Sequence, residues 1–201
     1  MTGRVKRNEF QTTILGAIVG AALAFGLALL IEYLDDTIRT VDQATQVLGL
    51  PTLAVIPKFG KSRDSYPERL IAYRQPDSPI SEEYRTLRTN LMFSANGGKA
   101  VFIVTSPGPG DGKTVTVANL AVTMAVAGWR VLLIDADLRR PRLHDIFSVD
   151  NRVGLSTLLS LDPSDLLGAE TPLDRLPPNY AECIQETEIP GLSMIASGYI
   201  P

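Results

Sequence analysis

Residues 106–114 read Ser-Pro-Gly-Pro-Gly-Asp-Gly-Lys-Thr, with Gly108, Gly110 and Gly112 alternating before Lys113 and Thr114. Glycines at this density let a backbone curl until successive N–H groups face one anion. A lysine at the end adds a full charge for phosphate oxygens, and a following hydroxyl offers a ligand to Mg²⁺. The strict pattern of such cradles has a glycine five positions before the last one, where this chain has Pro107. A second group of candidates is Asp135-Ala136-Asp137-Leu138-Arg139-Arg140-Pro141. Two carboxylates one residue apart suit Mg²⁺, which prefers hard oxygen ligands. One of them could also take a proton from an attacking hydroxyl. Arg139, Arg140 and Arg142 either neutralise phosphate or pair with carboxylates; the residue types leave both open.

These side chains can cooperate only if secondary structure brings them to one place. Ala100–Thr105 is an apolar run that predicts a strand leading into the loop. Lys113–Ala127 predicts a helix apolar on most sides, with Thr116, Asn119 and Thr123 as a thin polar stripe and Gly128 ending it. Arg130–Ile134 predicts a strand buried on both faces of a parallel sheet. Residues 100–135 therefore read as one β-loop-α-β unit with a right-handed crossover. Ligands of parallel sheets gather at the carboxyl ends of strands, so Asp135 and Asp137 should emerge on the same edge as the glycine loop. Leu192–Ala196 is a further strand-like run, and Gly154–Leu159 a short helix.

Before this core, Ser81 is read as the N-cap of an amphipathic helix through Phe93, with Tyr84, Leu87 and Leu91 on its apolar face. Glu82, Arg85 and Arg88 share another flank, which spacing alone reads as a solvated face with Glu–Arg support. Thr40 opens a shorter helix that Gly49 and Pro51 stop, and Thr52–Ile56 is strand-like. Residues 58–79 carry three prolines without periodicity and read as a linker.

Ile14–Ile31 is an uncharged, almost wholly apolar run of 18 residues. At ~1.5 Å per residue it spans ~27 Å, close to a bilayer core of ~30 Å, so it predicts a transmembrane helix. A cleaved signal sequence fits less well, because the apolar run continues past the Ala22-Leu23-Ala24 triplet. Arg4, Lys6 and Arg7 precede the run, whereas Arg39 follows it among Glu32, Asp35 and Asp36. The positive-inside rule would thus place the glycine loop outside the cell, in conflict with a cytoplasmic nucleotide. With 19 basic and 22 acidic residues the net charge is −3, so no basic domain points to nucleic acid. Cys183 and His144 are each the only residue of their type, which argues against a disulfide framework and a zinc site.

Taken together, the motifs from about residue 30 onward resemble the cytoplasmic end of bacterial tyrosine kinases of the polysaccharide co-polymerase type. The Walker A core of that family, Pro-Gly-acid-Gly-Lys-[Ser/Thr], is matched by Pro109 to Thr114, which accounts for Pro107. Its Asp-x-Asp-x-Arg motif is matched by Asp135, Asp137 and Arg139, and its Glu-x-x-Arg-x-x-Arg oligomerisation motif by Glu82, Arg85 and Arg88. The resemblance implies an ATP- and Mg²⁺-dependent tyrosine autokinase at the bacterial inner membrane, its kinase portion cytoplasmic. It also implies a ring-like homo-oligomer working with the polysaccharide export and polymerase machinery. Gly108, Pro109, Gly110, Asp111, Gly112, Lys113, Thr114, Val115 and Arg139 would hold the nucleotide. Thr114, Asp135 and Asp137 would hold the metal, and Lys113, Asp135 and Asp137 would act in catalysis.

The expected fold is α/β, a P-loop NTPase-type parallel sheet with flanking helices, incomplete and preceded by one transmembrane helix. Its expected divisions are a flank at 1–13, the span at 14–34, a juxtamembrane segment and linker at 35–79, and the P-loop kinase domain at 80–201. A Walker B strand and a tyrosine-rich tail, both usual in the family, have no counterpart here, so the resemblance implies a fragment. Two other readings stand beside it: a membrane-attached P-loop ATPase of the partitioning and division-site class, and a non-catalytic nucleotide-binding adaptor.

Overall fold

The computed structural model describes residues 9–34, 40–60, 65, 67–95, 100–160 and 178–199. The chain divides into two compact units, Met1–Thr52 and Leu53–Pro201.

In the first unit, helix α1 runs Glu9–Tyr33, beginning five residues before the apolar run. Its apolar side chains lie on every side and none is buried against protein, as expected of a helix whose solvent is lipid. Among the described residues one helix, Phe10–Tyr33, is long and apolar enough to cross a bilayer, with a mean hydropathy of 2.6. Helix α2, Val41–Leu48, has the predicted ends. The Thr40 hydroxyl accepts from the Gln43 amide at 3.3 Å. Gly49 takes the left-handed conformation at φ 64° and returns its N–H to the Thr45 carbonyl.

The second unit is organised around helix α5, Lys113–Val126. One side of α5 packs on a sheet of three strands: β1 (Val131–Ile134), β2 (Gln185–Glu186) and β3 (Leu192–Ile195). The strand order is β1-β3-β2. β1 and β3 are parallel, with Val131 opposite Leu192 and Ile134 opposite Ile195. β2 is antiparallel to β3. Ala118, Ala121, Val122 and Ala125 of α5 meet Leu133 of β1, Met194 of β3 and the side chains of α6 (Leu143–Phe147) in one core. Small residues on α5 let the helix lie close to the sheet, and each fully buried Leu, Phe or Met contributes about 1.5–3 kcal/mol. Two further short helices are α7 (Leu155–Ser160) and α8 (Pro178–Ala181).

The other side of α5 faces α3 (Ile71–Arg74) and α4 (Pro79–Ser94), and here the polar stripe finds its purpose. Asn119 is fully buried. It accepts from the Ala72 amide at 2.9 Å and donates to the carbonyls of Arg69 and Val115, each at 2.9 Å. The buried Ser81 hydroxyl is bonded to the Ile71 and Gln75 carbonyls at 3.2 and 2.7 Å. Segment 69–75 is thus clasped between α4 and α5 by side chains that satisfy its backbone, as burial of that backbone requires.

Several expectations are corrected. Residues 58–79 are not a linker throughout: a 3-10 turn at Pro67–Arg69 and helix α3 place Leu70 and Ile71 in the core. Two apolar neighbours are too short a run to create periodicity, so the sequence hides this insertion. Helix α4 starts earlier than Ser81, with Ser78 as N-cap accepting from the Ser81 amide at 3.2 Å and Pro79 preset for the first turn. Thr52–Ile56 and Ala100–Thr105 form no strands. Val101 is 94% and Ile103 91% exposed, because a strand needs a ladder partner and none lies beside them among the described residues. The parallel pair is therefore β1 with β3, not 100–105 with 130–134. β1 buries Leu133 but exposes Leu132 and Ile134, since among the described residues helices cover only one of its faces. Residues 96–99, before the Ala100–Thr105 run, and residues 161–177 lie outside the described residues.

Candidate functional site

The glycine loop is built by its own side chains. The Asp111 carboxylate accepts from the Gly108 amide at 2.7 Å, and a Cβ on Gly108 would stand 3.2 Å from that oxygen. The Ser106 hydroxyl donates to the Gly108 carbonyl at 2.9 Å. Gly112 is the N-cap of α5 at φ 95°, a conformation that side chains rarely adopt. With no capping side chain, the first amides of α5 stay directed at the loop's mouth, where an anion is favoured. Thr114 and Val115 sit half-buried in this first turn; Pro109 and Gly110 are exposed at the rim.

The Asp-x-Asp loop meets this cradle. Asp137 accepts from the Lys113 ammonium at 2.5 Å. That hydrogen bond, with one from the Arg140 amide, holds the Asp137 carboxyl below the usual carboxylate range. Asp137 Oδ1 also accepts from the amides of Arg139 and Arg140 at 3.3 and 3.1 Å. The side chains of Arg139 and Arg140 are exposed at the same turn. Lys113, Thr114, Asp137 and Arg139 are thereby brought to one edge of the sheet, at the carboxyl end of β1.

Asp135 has a different environment. It is buried, and its Oδ1 accepts from the Asp137 amide at 3.1 Å. Its Oδ2 accepts from the amides of Arg142 and Leu143 at 3.2 and 3.1 Å. Asp135 is the post around which residues 135–143 wrap, and it presents Asp137. Thr114 and Asp137 supply hard oxygen donors beside the cradle, which fits an octahedral cation that keeps several of its waters.

Glu82, Arg85 and Arg88 lie away from this edge. Arg85 pairs with Glu82 and also donates to the Pro76 carbonyl at 3.0 Å. Arg88 donates to the Thr123 carbonyl at 3.2 Å, near the C-terminal end of α5 where a cation is favoured. The two arginines line one depression with Ala72, Pro76, Ser81, Thr123 and Val126. His144 packs beside Asp145, with Nε2 3.3 Å from its carboxylate, and takes no part in the edge.

Three residues named in the sequence for other reasons prove to be supports of the fold beside the site. Tyr84 is fully buried in α4, with its ring edge-on to Phe59 at 6.3 Å. Burial pushes its phenol up to about 12, an effect that the facing Thr116 hydroxyl opposes. Asn119 and Ser81 clasp segment 69–75 as described. Buried polar residues in an otherwise apolar helix face were the available signal for Asn119.

Known proteins resemble this chain in sequence and in fold. Residues 102–162 match the CobQ/CobB/MinD/ParA nucleotide binding domain family. Tyrosine-protein kinase YwqD of Bacillus subtilis is 44% identical over 135 residues, covering 62% of this chain and 57% of that protein. Tyrosine-protein kinase ptk of Acinetobacter johnsonii is 31% identical over 204 residues, covering 96% of this chain and 26% of that protein. The solved BceF tyrosine kinase domain is 31% identical with a TM-score of 0.63, covering 82% of this chain and 64% of that domain. The chain thus spans between a quarter and just over half of the length of these curated relatives. By sequence and by fold, it is a relative of the bacterial tyrosine kinases, with one long apolar helix followed in sequence by a nucleotide-binding domain of the P-loop kind.

Proposed function

We propose that this chain grips ATP and Mg²⁺ in a protein-tyrosine autokinase that regulates capsular or exopolysaccharide synthesis and export. The observation that carries this reading is the contact of Lys113 with Asp137, which joins the glycine loop to the Asp-x-Asp loop at one sheet edge. Gly108 to Val115 would wrap the β- and γ-phosphates with backbone amides. Lys113 would turn from Asp137 to the phosphates, leaving that carboxylate to the cation or its waters. Thr114 would supply the other protein oxygen. The cation, when bound, neutralises charge on the phosphates. Arg139 adds a further cation at the turn. Catalysis of this kind is mostly positioning and charge neutralisation at the transferred phosphoryl group.

The same reading places α1 in the bacterial inner membrane with the kinase portion in the cytoplasm. Glu82, Arg85 and Arg88 would contact a neighbouring copy in a ring, and the polysaccharide machinery would be the working partner. Incubation of the detergent-solubilised chain with labelled ATP and Mg²⁺ tests the activity. Phosphotyrosine that disappears in Lys113→Ala is the expected result. Phosphate release without phosphotyrosine would instead favour the partitioning-type ATPase, whose domain family the nucleotide core also matches. Binding of ATP with no turnover would favour an adaptor.

A further inference from the structure

We propose that Tyr199 is a phosphoryl-acceptor site, modified by the γ-phosphoryl group of a nucleotide gripped at Lys113; the inference rests on the kinase reading above. Its basis is where the fold puts this residue. Because β1 and β3 are parallel, both end at the edge that carries the Asp-x-Asp loop. The Asp135 amide donates to the Ile195 carbonyl at 2.9 Å, so the two strand ends are locked side by side. Tyr199 follows four residues after Ile195, beyond the end of β3, and is 73% exposed.

The backbone that presents Tyr199 is unusually fixed. The Leu155 and Ser156 amides donate to the Ala196 and Ser197 carbonyls, each at 2.8 Å. The Asn151 side-chain oxygen accepts from the Ser197 hydroxyl and the Gly198 amide, each at 3.0 Å. The Ser156 hydroxyl donates to the carbonyl of Tyr199 itself at 2.9 Å. The packing is so close that a Cβ on Gly154 would stand 2.1 Å from the Ala196 carbonyl oxygen. A rigid backbone with a free aromatic side chain at the phosphate edge is the arrangement that favours reaction of that side chain, since little orientation is left to arrange.

The other described tyrosines lack this combination. Tyr84 and Tyr180 are buried. Tyr33 ends the long apolar helix of the other unit. Tyr73 is half-exposed on α3, and its neighbour Ala72 is tied to Asn119, six residues down α5 from Lys113, which is about 9 Å along the helix away from the phosphates.

In the proposed step the Tyr199 phenol oxygen bonds to the γ-phosphorus. The bond from that phosphorus to the β–γ bridging oxygen breaks, ADP leaves with the bonding pair, and the phenolic proton goes to water. The test is peptide mass spectrometry of the chain after incubation with ATP and Mg²⁺, for the wild type, Lys113→Ala and Tyr199→Phe, with binding of a fluorescent ATP analogue measured in each. The expected result is phosphate on Tyr199 in the wild type and none in Lys113→Ala. Tyr199→Phe should bind the analogue as the wild type does and lose most of the phosphotyrosine. Phosphotyrosine elsewhere with Tyr199 unmodified would overturn this inference and leave the kinase reading intact. No phosphotyrosine on any residue, with analogue binding intact, would overturn both.

Discussion

Lys113 Nζ and Asp137 Oδ2 stand 24 residues apart in sequence and 2.5 Å apart in space. The lysine that a nucleotide would claim is therefore already engaged, and phosphate must compete with a carboxylate for it. The side chains are 36% and 27% exposed, so the pair is partly screened and worth up to about 1 kcal/mol. Asp137→Asn should free the lysine and tighten binding of ATP without Mg²⁺ by up to about fivefold. The same variant should lose most of the gain in affinity that Mg²⁺ gives. Titration of a fluorescent ATP analogue with and without Mg²⁺ reads both effects, and weaker binding in the absence of Mg²⁺ would contradict the competition.

Asn119 gives a stability prediction. Asn119→Ala leaves the Ala72 amide and the Arg69 carbonyl without the partners they have in the buried clasp. Each buried orphan costs about 1–3 kcal/mol, so a loss of about 2–6 kcal/mol is expected in denaturant unfolding. Asn119→Asp should be no milder, because a carboxylate oxygen would then face the Arg69 and Val115 carbonyls.

Tyr84 makes the fold sensitive to alkali. Its phenol ionises at about 12 in the folded chain against 10.0 ordinarily, because burial disfavours the anion. Below pH 10 the phenol is neutral in both states and its contribution is complete. Above that, the unfolded chain loses the proton first, so stability falls as pH rises from about 10 to about 12, by about 1.4 kcal/mol per unit. Tyr84→Phe should flatten this part of the stability profile when unfolding is followed from pH 9 to 12. An unchanged slope would show that another group governs it.

Gly154 is set against β3 so closely that an added Cβ would lie 2.1 Å from the Ala196 oxygen and 2.6 Å from the Gly198 nitrogen. Those are backbone atoms of a bonded segment and cannot step aside. Gly154→Ala should cost about 3 kcal/mol or more and lower the thermal midpoint by several degrees. Gly16→Ala, with nothing within 4 Å of the added atom, should leave the midpoint unchanged.

Arg88 ties α4 to α5 through the Thr123 carbonyl. Arg88→Ala should cost about 1 kcal/mol through that bond alone. On the proposed ring contact the parent chain should associate and the combined alanine variant at Glu82, Arg85 and Arg88 should sediment as a monomer, with ATP-analogue affinity within about twofold, a change of about 0.4 kcal/mol. Association that survives the triple substitution would place the contact between copies elsewhere.

Features that depend only on neighbours along the chain were legible before any fold was known. The run Ile14–Ile31 dictates an apolar helix because helical periodicity is irrelevant when every side is apolar. Thr40 with Gly49, and Gly112 with Gly128, mark helix ends because capping is a matter of a few adjacent residues. Gly108–Thr114 and Asp135–Arg139 were legible as phosphate and cation chemistry because their donors are contiguous.

Folding set what contiguity cannot. It divided the two aspartates, giving Asp135 to three backbone amides and Asp137 to Lys113, since burial depends on what the loop wraps around. It turned the stripe of Thr116, Asn119 and Thr123 toward α3 and α4, because a polar line in a core helix can be buried only where it meets backbone to bond. It drew Leu70 and Ile71 out of an apparent linker into the core. It left Ala100–Thr105 without a ladder among the described residues, because a strand, unlike a helix, takes its hydrogen bonds from another part of the chain.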